Sequence, residues 1–97
     1  MSTPIRRLVV DLLKPHEPDI VTVSQAVAEL SGIDAVNAVL IETDRDVETI
    51  KLTIEGAAVD LSAVETQIED LGGTIHSIDE VVCVEYLTEQ SETPQDR

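Results

Sequence analysis

The sequence has almost no aromatic residues: one Tyr, no Phe and no Trp among 97 positions. A core on this chain must be packed from Val, Ile, Leu and Ala. Cysteine occurs once, at Cys83, which excludes an internal disulfide framework. In its apolar setting Cys83 reads as a small buried or interface hydrophobe. No apolar run approaches the ~20 residues that a membrane-spanning helix needs. Arg6-Arg7 is followed by a short apolar stretch that meets Asp11 almost at once, which does not read as a signal peptide. A cytoplasmic address is the expectation. Positive charge is scarce too. Six Lys and Arg face 20 Asp and Glu, for a net charge of −14. Such a surface repels nucleic-acid phosphate and anionic membrane, so neither is expected as a partner.

The acidity has two readings. One is a protein that binds cations or basic partners. The other is adaptation to a salty cytoplasm, where high ionic strength screens self-repulsion. The acids are spread through every segment instead of gathered in one tail, which favours the second. Hydrophobic residues make up 42% of the chain, too many for a disordered acidic polymer. At this length one small domain is expected, over residues 1–87, with a polar, flexible tail over 88–97.

Ile5 to Leu13 is apolar and β-branched, with Leu8, Val10 and Leu12 at period two, and reads as a first strand. Lys14-Pro15-His16-Glu17-Pro18 breaks it. Pro18 suits the first turn of a helix, whose stripe is Ile20, Val23, Val27 and Leu30 and whose stop is Gly32. Ala35–Thr43 and Val47–Glu55 read as two strands joined by the polar turn Asp44-Arg45-Asp46, with Gly56 closing the pair. In the latter strand Ile50, Leu52 and Ile54 face one way and Thr49, Lys51 and Thr53 the other. A second helix starts at Asp60 or Ser62, carries Leu61, Val64, Ile68 and Leu71, and ends at Gly72-Gly73. Thr74 to Leu87 holds a fourth strand, interrupted near Asp79-Glu80.

The order β-α-β-β-α-β predicts an α+β ferredoxin-like sandwich: a four-stranded antiparallel sheet with two helices on one face. The other sheet face is then uncovered. Alternation points Val9, Leu13, Val39, Ile41, Val81 and Cys83 towards it, an apolar face of the kind that marks an interface. A homo-oligomer is the expectation.

No phosphate-binding loop is present, because Gly72-Gly73 follows a helix instead of preceding one. No nucleophile–base pair stands out, so no catalytic residue is assigned and an enzyme is not expected. The one constellation to weigh uses both histidines. In the predicted fold the first and fourth strands are antiparallel neighbours, which brings His16 and Glu17 towards His76, Asp79 and Glu80, with Asp11 a weaker member. Imidazole with carboxylate suits a transition metal, and carboxylates with carbonyls suit calcium or magnesium. The same residues equally suit a polar network that fixes two loops and a subunit contact, with a small ligand or ion at the junction.

Asp11-Leu12-Leu13-Lys14-Pro15-His16-Glu17-Pro18 and Gly72-Gly73-Thr74-Ile75-His76-Ser77-Ile78-Asp79-Glu80-Val81-Val82 resemble the two signature stretches of a small archaeal family, domain of unknown function 211. The resemblance runs over roughly residues 4–87. It implies a ferredoxin-like fold, an archaeal source and a multi-subunit homo-oligomer, with metal binding, calcium included, at most suggested. Joined to the acidity it implies a haloarchaeon. It supplies no catalytic residue.

Overall fold

The computed structural model describes residues 3–85. The expected tail, 88–97, and the expected domain limit at residue 87 lie outside the described residues. The elements are β1 (Ile5–Pro15), α1 (Ile20–Ala28), β2 (Ala35–Thr43), β3 (Val47–Val59), α2 (Leu61–Asp70) and β4 (Thr74–Cys83). They build one antiparallel sheet in the order β2-β3-β1-β4. This is the ferredoxin-like α+β architecture expected from the sequence.

The core is made by period-two alternation in the two central strands. Leu8, Val10 and Leu12 of β1 and Ile50, Leu52 and Ile54 of β3 are fully buried beneath Val27 of α1 and Val64 and Ile68 of α2. These side chains carry most of the hydrophobic stabilisation, at roughly 1.5–3 kcal/mol for each fully buried branched residue.

The helix limits differ from the expected ones. Asp19, not Pro18, opens α1: its side chain accepts a hydrogen bond from Thr22 N at 2.9 Å. The helix ends at Ala28, ahead of Gly32, although Leu30 and Ile33 still pack on the core. Asp60, not Ser62, caps α2, accepting from Ala63 N at 3.2 Å. The stop of α2 is a Schellman motif: Gly72 N donates to Glu69 O, Gly73 N to Ile68 O, and Gly72 has φ +90.

Gly56 does not close β3, which runs on to Val59. A Cβ at Gly56 would sit 2.0 Å from Gly32 O and 2.8 Å from Ile33 Cα. Glycine there lets the α1–β2 loop lie directly on β3.

The uncovered sheet face is more polar than expected. Val9 is 7% exposed and Leu13 half-buried, while Arg7, Asp11, Lys51 and Glu55 lie across the centre. Val81 stands level with Leu8 and Ile54, on the helix-bearing side, and Cys83 is exposed opposite Ile5, which packs on the core. The phase of β4 is altered by register shifts that leave His76 and Asp79 as extra residues, and each such residue reverses the alternation. Exposed apolar side chains gather instead at the two sheet edges: Val39, Leu40 and Ile41 on β2, Ile78 and Val81 on β4. Lengths explain this. The 13 residues of β3 span about 43 Å at ~3.3 Å each, whereas the 9 and 10 residues of the helices span about 15 Å at 1.5 Å each. Two short helices cannot roof the whole sheet.

Candidate functional site

Two polar clusters hold the residues singled out by the sequence. The first lies at the end of β1. Lys14 falls in the alternation of Leu8, Val10 and Leu12, so its side chain enters the helix side of the sheet and is only 2% exposed. Its Nζ donates to Pro15 O at 2.7 Å and His16 O at 3.3 Å and pairs with Glu48 Oε1 at 2.9 Å. Glu48 is placed by register, directly across from Lys14. Its other oxygen lies 3.2 Å from His16 Nδ1, and His16 Nε2 lies 2.8 Å from Asp44 O in the β2–β3 turn. The Lys14 ammonium holds the Glu48 carboxyl below its ordinary range. The Asp44 carbonyl, with the charge of Glu48, raises the His16 imidazole above its ordinary value.

The second cluster crosses the uncovered sheet face. Lys51 Nζ sits between Asp11 and Asp79, 3.0 Å from Asp11 Oδ1, and Ser77 Oγ donates to Asp79 at 2.9 Å. Asp11 Oδ1 is shut off from solvent and meets Lys51 without a well-aligned hydrogen bond. Arg7 bridges Glu55 and Glu80. Donation from Lys51 and Ser77 lowers Asp79, while the carboxylates of Asp79 and Asp11 raise Lys51 and those of Glu80 and Glu55 raise Arg7.

The antiparallel β1–β4 contact is present, with Leu13 opposite Thr74, yet the six candidate residues do not converge. β1 leaves β4 at Leu13 and stays beside β3 through Pro15, so His16 turns to the β2–β3 turn and away from His76. His76 and Glu17 are exposed. Asp11 and Asp79 do come together, around Lys51, and Glu80 is held by Arg7. Within one chain one cation is shared by each pair of carboxylates, Lys51 by Asp11 and Asp79 and Arg7 by Glu55 and Glu80. Among the described residues no three His, Cys, Asp or Glu side chains are arranged to hold a metal ion.

An open cleft of about 550 Å³ lies at the opposite end of the sheet, lined by Thr3, Ile5, Gly32, Ala58, Asp60 and Leu61 among others. Among the described residues its one titratable side chain, Asp60, already caps α2. A smaller groove of about 230 Å³ runs between α1 and β2, lined by Ile20, Val21, Ser24, Gln25 and Ala38. No helix is long and apolar enough to cross a membrane.

The two signature stretches thus form the β1 terminus and the α2–β4 passage, where the buried lysine and the β4 bulges lie. The model of the family DUF211, described as uncharacterised ArCR, matches residues 6–97. The chain belongs to DUF211. The match reaches past residue 87, so the polar C-terminal stretch is part of what DUF211 members share. A relative in the archaeon Methanocaldococcus jannaschii, the uncharacterised protein MJ0319, is 50% identical over 93 residues, 96% of each chain. Lys14 and Glu48 were missed from sequence. The signal for Lys14 was its place in the buried phase of the first strand; nothing local marked Glu48, which only strand register brings to it.

Proposed function

We propose that this DUF211 chain is a non-catalytic, cytoplasmic, homo-oligomeric module that works where copies meet, binding a small ligand or an ion at the junctions. The observation that carries this reading is the apolar surface at both sheet edges, Val39, Leu40 and Ile41 on one side and Ile78 and Val81 on the other. Exposed edge strands of this kind are templates for pairing unless charged, kinked or covered. The even spread of carboxylates supports a salty working solvent.

Size-exclusion chromatography with light scattering at molar salt tests it. A species well above 10.5 kDa is expected, and a monomer at micromolar concentration overturns the reading.

A second reading, divalent-ion binding through the His-acid motifs, draws on the exposure of His76 and Glu17, which leaves both side chains available to a neighbouring copy. Titration calorimetry of the chelator-treated protein with Ca, Mg, Mn, Ni and Zn is the test. Ion binding is expected to raise the melting temperature with ion concentration, and transition-metal binding to weaken as His protonates. The absence of heat for every ion rejects this reading and leaves the first standing.

A further inference from the structure

The two edges differ in shape, and the difference specifies how copies join. Strand pairings line up residues in rows across the sheet. Ile78, Val10, Leu52 and Ala38 form one row; Val81, Leu8, Ile54 and Val36 form another. Both rows lie on the helix-bearing side. At the β4 end of each row stands a large exposed side chain, Ile78 at 45% and Val81 at 48%. At the β2 end lie the half-buried Ala38 and Val36, and Ala38 forms part of the apolar groove with Ile20 and Val21. In these two rows β4 stands out as a ridge and β2 is recessed; in the next row the order reverses, with Leu40 of β2 exposed and Ile75 of β4 half-buried.

We propose that β4 of one copy pairs with β2 of the next, seating Ile78 in the Ile20–Val21–Ala38 groove of its neighbour and joining the chains head to tail. This rests on the homo-oligomer reading and names its interface.

Direction is right. β2 runs with β1, and β4 runs against it. Copies placed side by side in the same orientation therefore bring β4 and the neighbouring β2 together antiparallel, extending the sheet. Edge strands are blunted by charge and by bulges: a strand added to β4 must pass His76 and Asp79 unpaired, and β2 carries a matching irregularity at Ile41. β2 contains no Lys, Arg or Pro to block pairing. In the level register Ile75 meets Leu40, Ile78 meets Ala38 and Val81 meets Val36, so apolar meets apolar on the helix side. On the other face Thr74 meets Glu42, Ser77 meets Val39 and Glu80 meets Asn37, so no carboxylate opposes another. For a chain of charge −14, that match discriminates between surfaces, because like charges directly opposite are destabilising. The contact joins two different patches, so it repeats from copy to copy until a ring closes.

Two charge substitutions at exposed positions test the arrangement: Ile78→Glu on the ridge and Val21→Glu in the groove, where Val21 is 57% exposed. Circular dichroism first checks that each variant is folded. Each alone is expected to collapse to one-chain mass, because every contact then has one damaged side. Mixed, they are expected to form a species of two chains, joined by the one intact ridge and the one intact groove. A monomeric wild type overturns the oligomer reading itself. An oligomeric wild type whose variants keep full mass, or whose mixture stays monomeric, overturns only the head-to-tail contact. A two-fold β2–β2 or β4–β4 contact shows itself as assembly that survives one of the two substitutions.

Cross-linking gives a second readout without charge changes. In a Cys83→Ser background, Ser77→Cys with Val39→Cys places opposing Cβ atoms about 4.5–5.5 Å apart in the level register, a span whose lower end meets the roughly 4.5 Å upper limit for a disulfide. Oxidation is expected to produce a ladder of linked chains from the double variant and one-chain bands from each single one. Its absence from an oligomeric double variant overturns the register.

Discussion

A lysine is seldom buried without partners, and Lys14 has three: two carbonyls of the β1–α1 turn and the Glu48 carboxylate. Lys14→Met keeps the apolar stem and removes all three contacts, stranding a carboxylate whose side chain is 19% exposed. A loss of about 2–4 kcal/mol is expected, read as a lower urea midpoint at constant m-value. The same cluster has a pH signature. The folded pKa of His16 is raised above 6.5, so its contribution is complete below that value and lost as pH rises through the folded value. The stability difference between wild type and His16→Asn is therefore expected to shrink as pH climbs through that raised value. Glu48 behaves in the opposite sense. Its folded pKa is lowered below 4.5, so its contribution is present above that value and lost as pH falls through the lowered one. Denaturation of each pair over a pH series measures both windows.

At the scale of elements, two glycines do different work. Gly72 has φ +90, and its added Cβ would meet only Pro15 side-chain carbons, at 3.6 Å or more. Gly72→Ala is expected to cost about 1–2 kcal/mol, the strain of a left-handed residue. Gly56 has no such strain, but its added Cβ would strike the backbone of Gly32 and Ile33. The loop is tied to β3 by Asp34 N donating to Glu55 O and Ala58 N to Gly32 O and cannot yield without losing them, so Gly56→Ala is expected to cost about 3 kcal/mol or more. Thermal melts of both variants, with Gly56→Ala melting lower, check the order. Within β4, the bulges at His76 and Asp79 decide which side chains reach the core and which stand out as the ridge.

On the scale of the whole molecule, charge is the governing quantity. The sheet and helices form a body 50 × 23 × 20 Å. The Debye length is about 30 Å at 0.01 M salt and about 3 Å at 1 M. At low salt the carboxylates repel across the full cross-section; at molar salt they interact only with neighbours such as Lys51 and Arg7. The melting temperature is expected to rise with KCl up to molar concentrations, and a salt-independent melt contradicts adaptation to a salty solvent.

The order and kind of the six elements were legible in the sequence because each is a local, periodic signal: period two in β1 and β3, the helical stripes of α1 and α2, and Gly72 at a helix stop. The ferredoxin-like topology followed from that order, and the meeting of β1 with β4 followed from the topology. The candidate site was only half legible. That His16, just past β1, and His76, near the start of β4, belong to one end of the sheet could be read from the chain. That His16 instead serves Glu48 and the Asp44 carbonyl could not, because register is a relation between strands distant in sequence. The same holds for Lys51 between Asp11 and Asp79, and for the ridge at Ile78, whose face depends on bulges. Local periodicity determined the elements; the tertiary pairing of strands decided which polar groups meet, because a shift of one residue exchanges the two faces of a sheet.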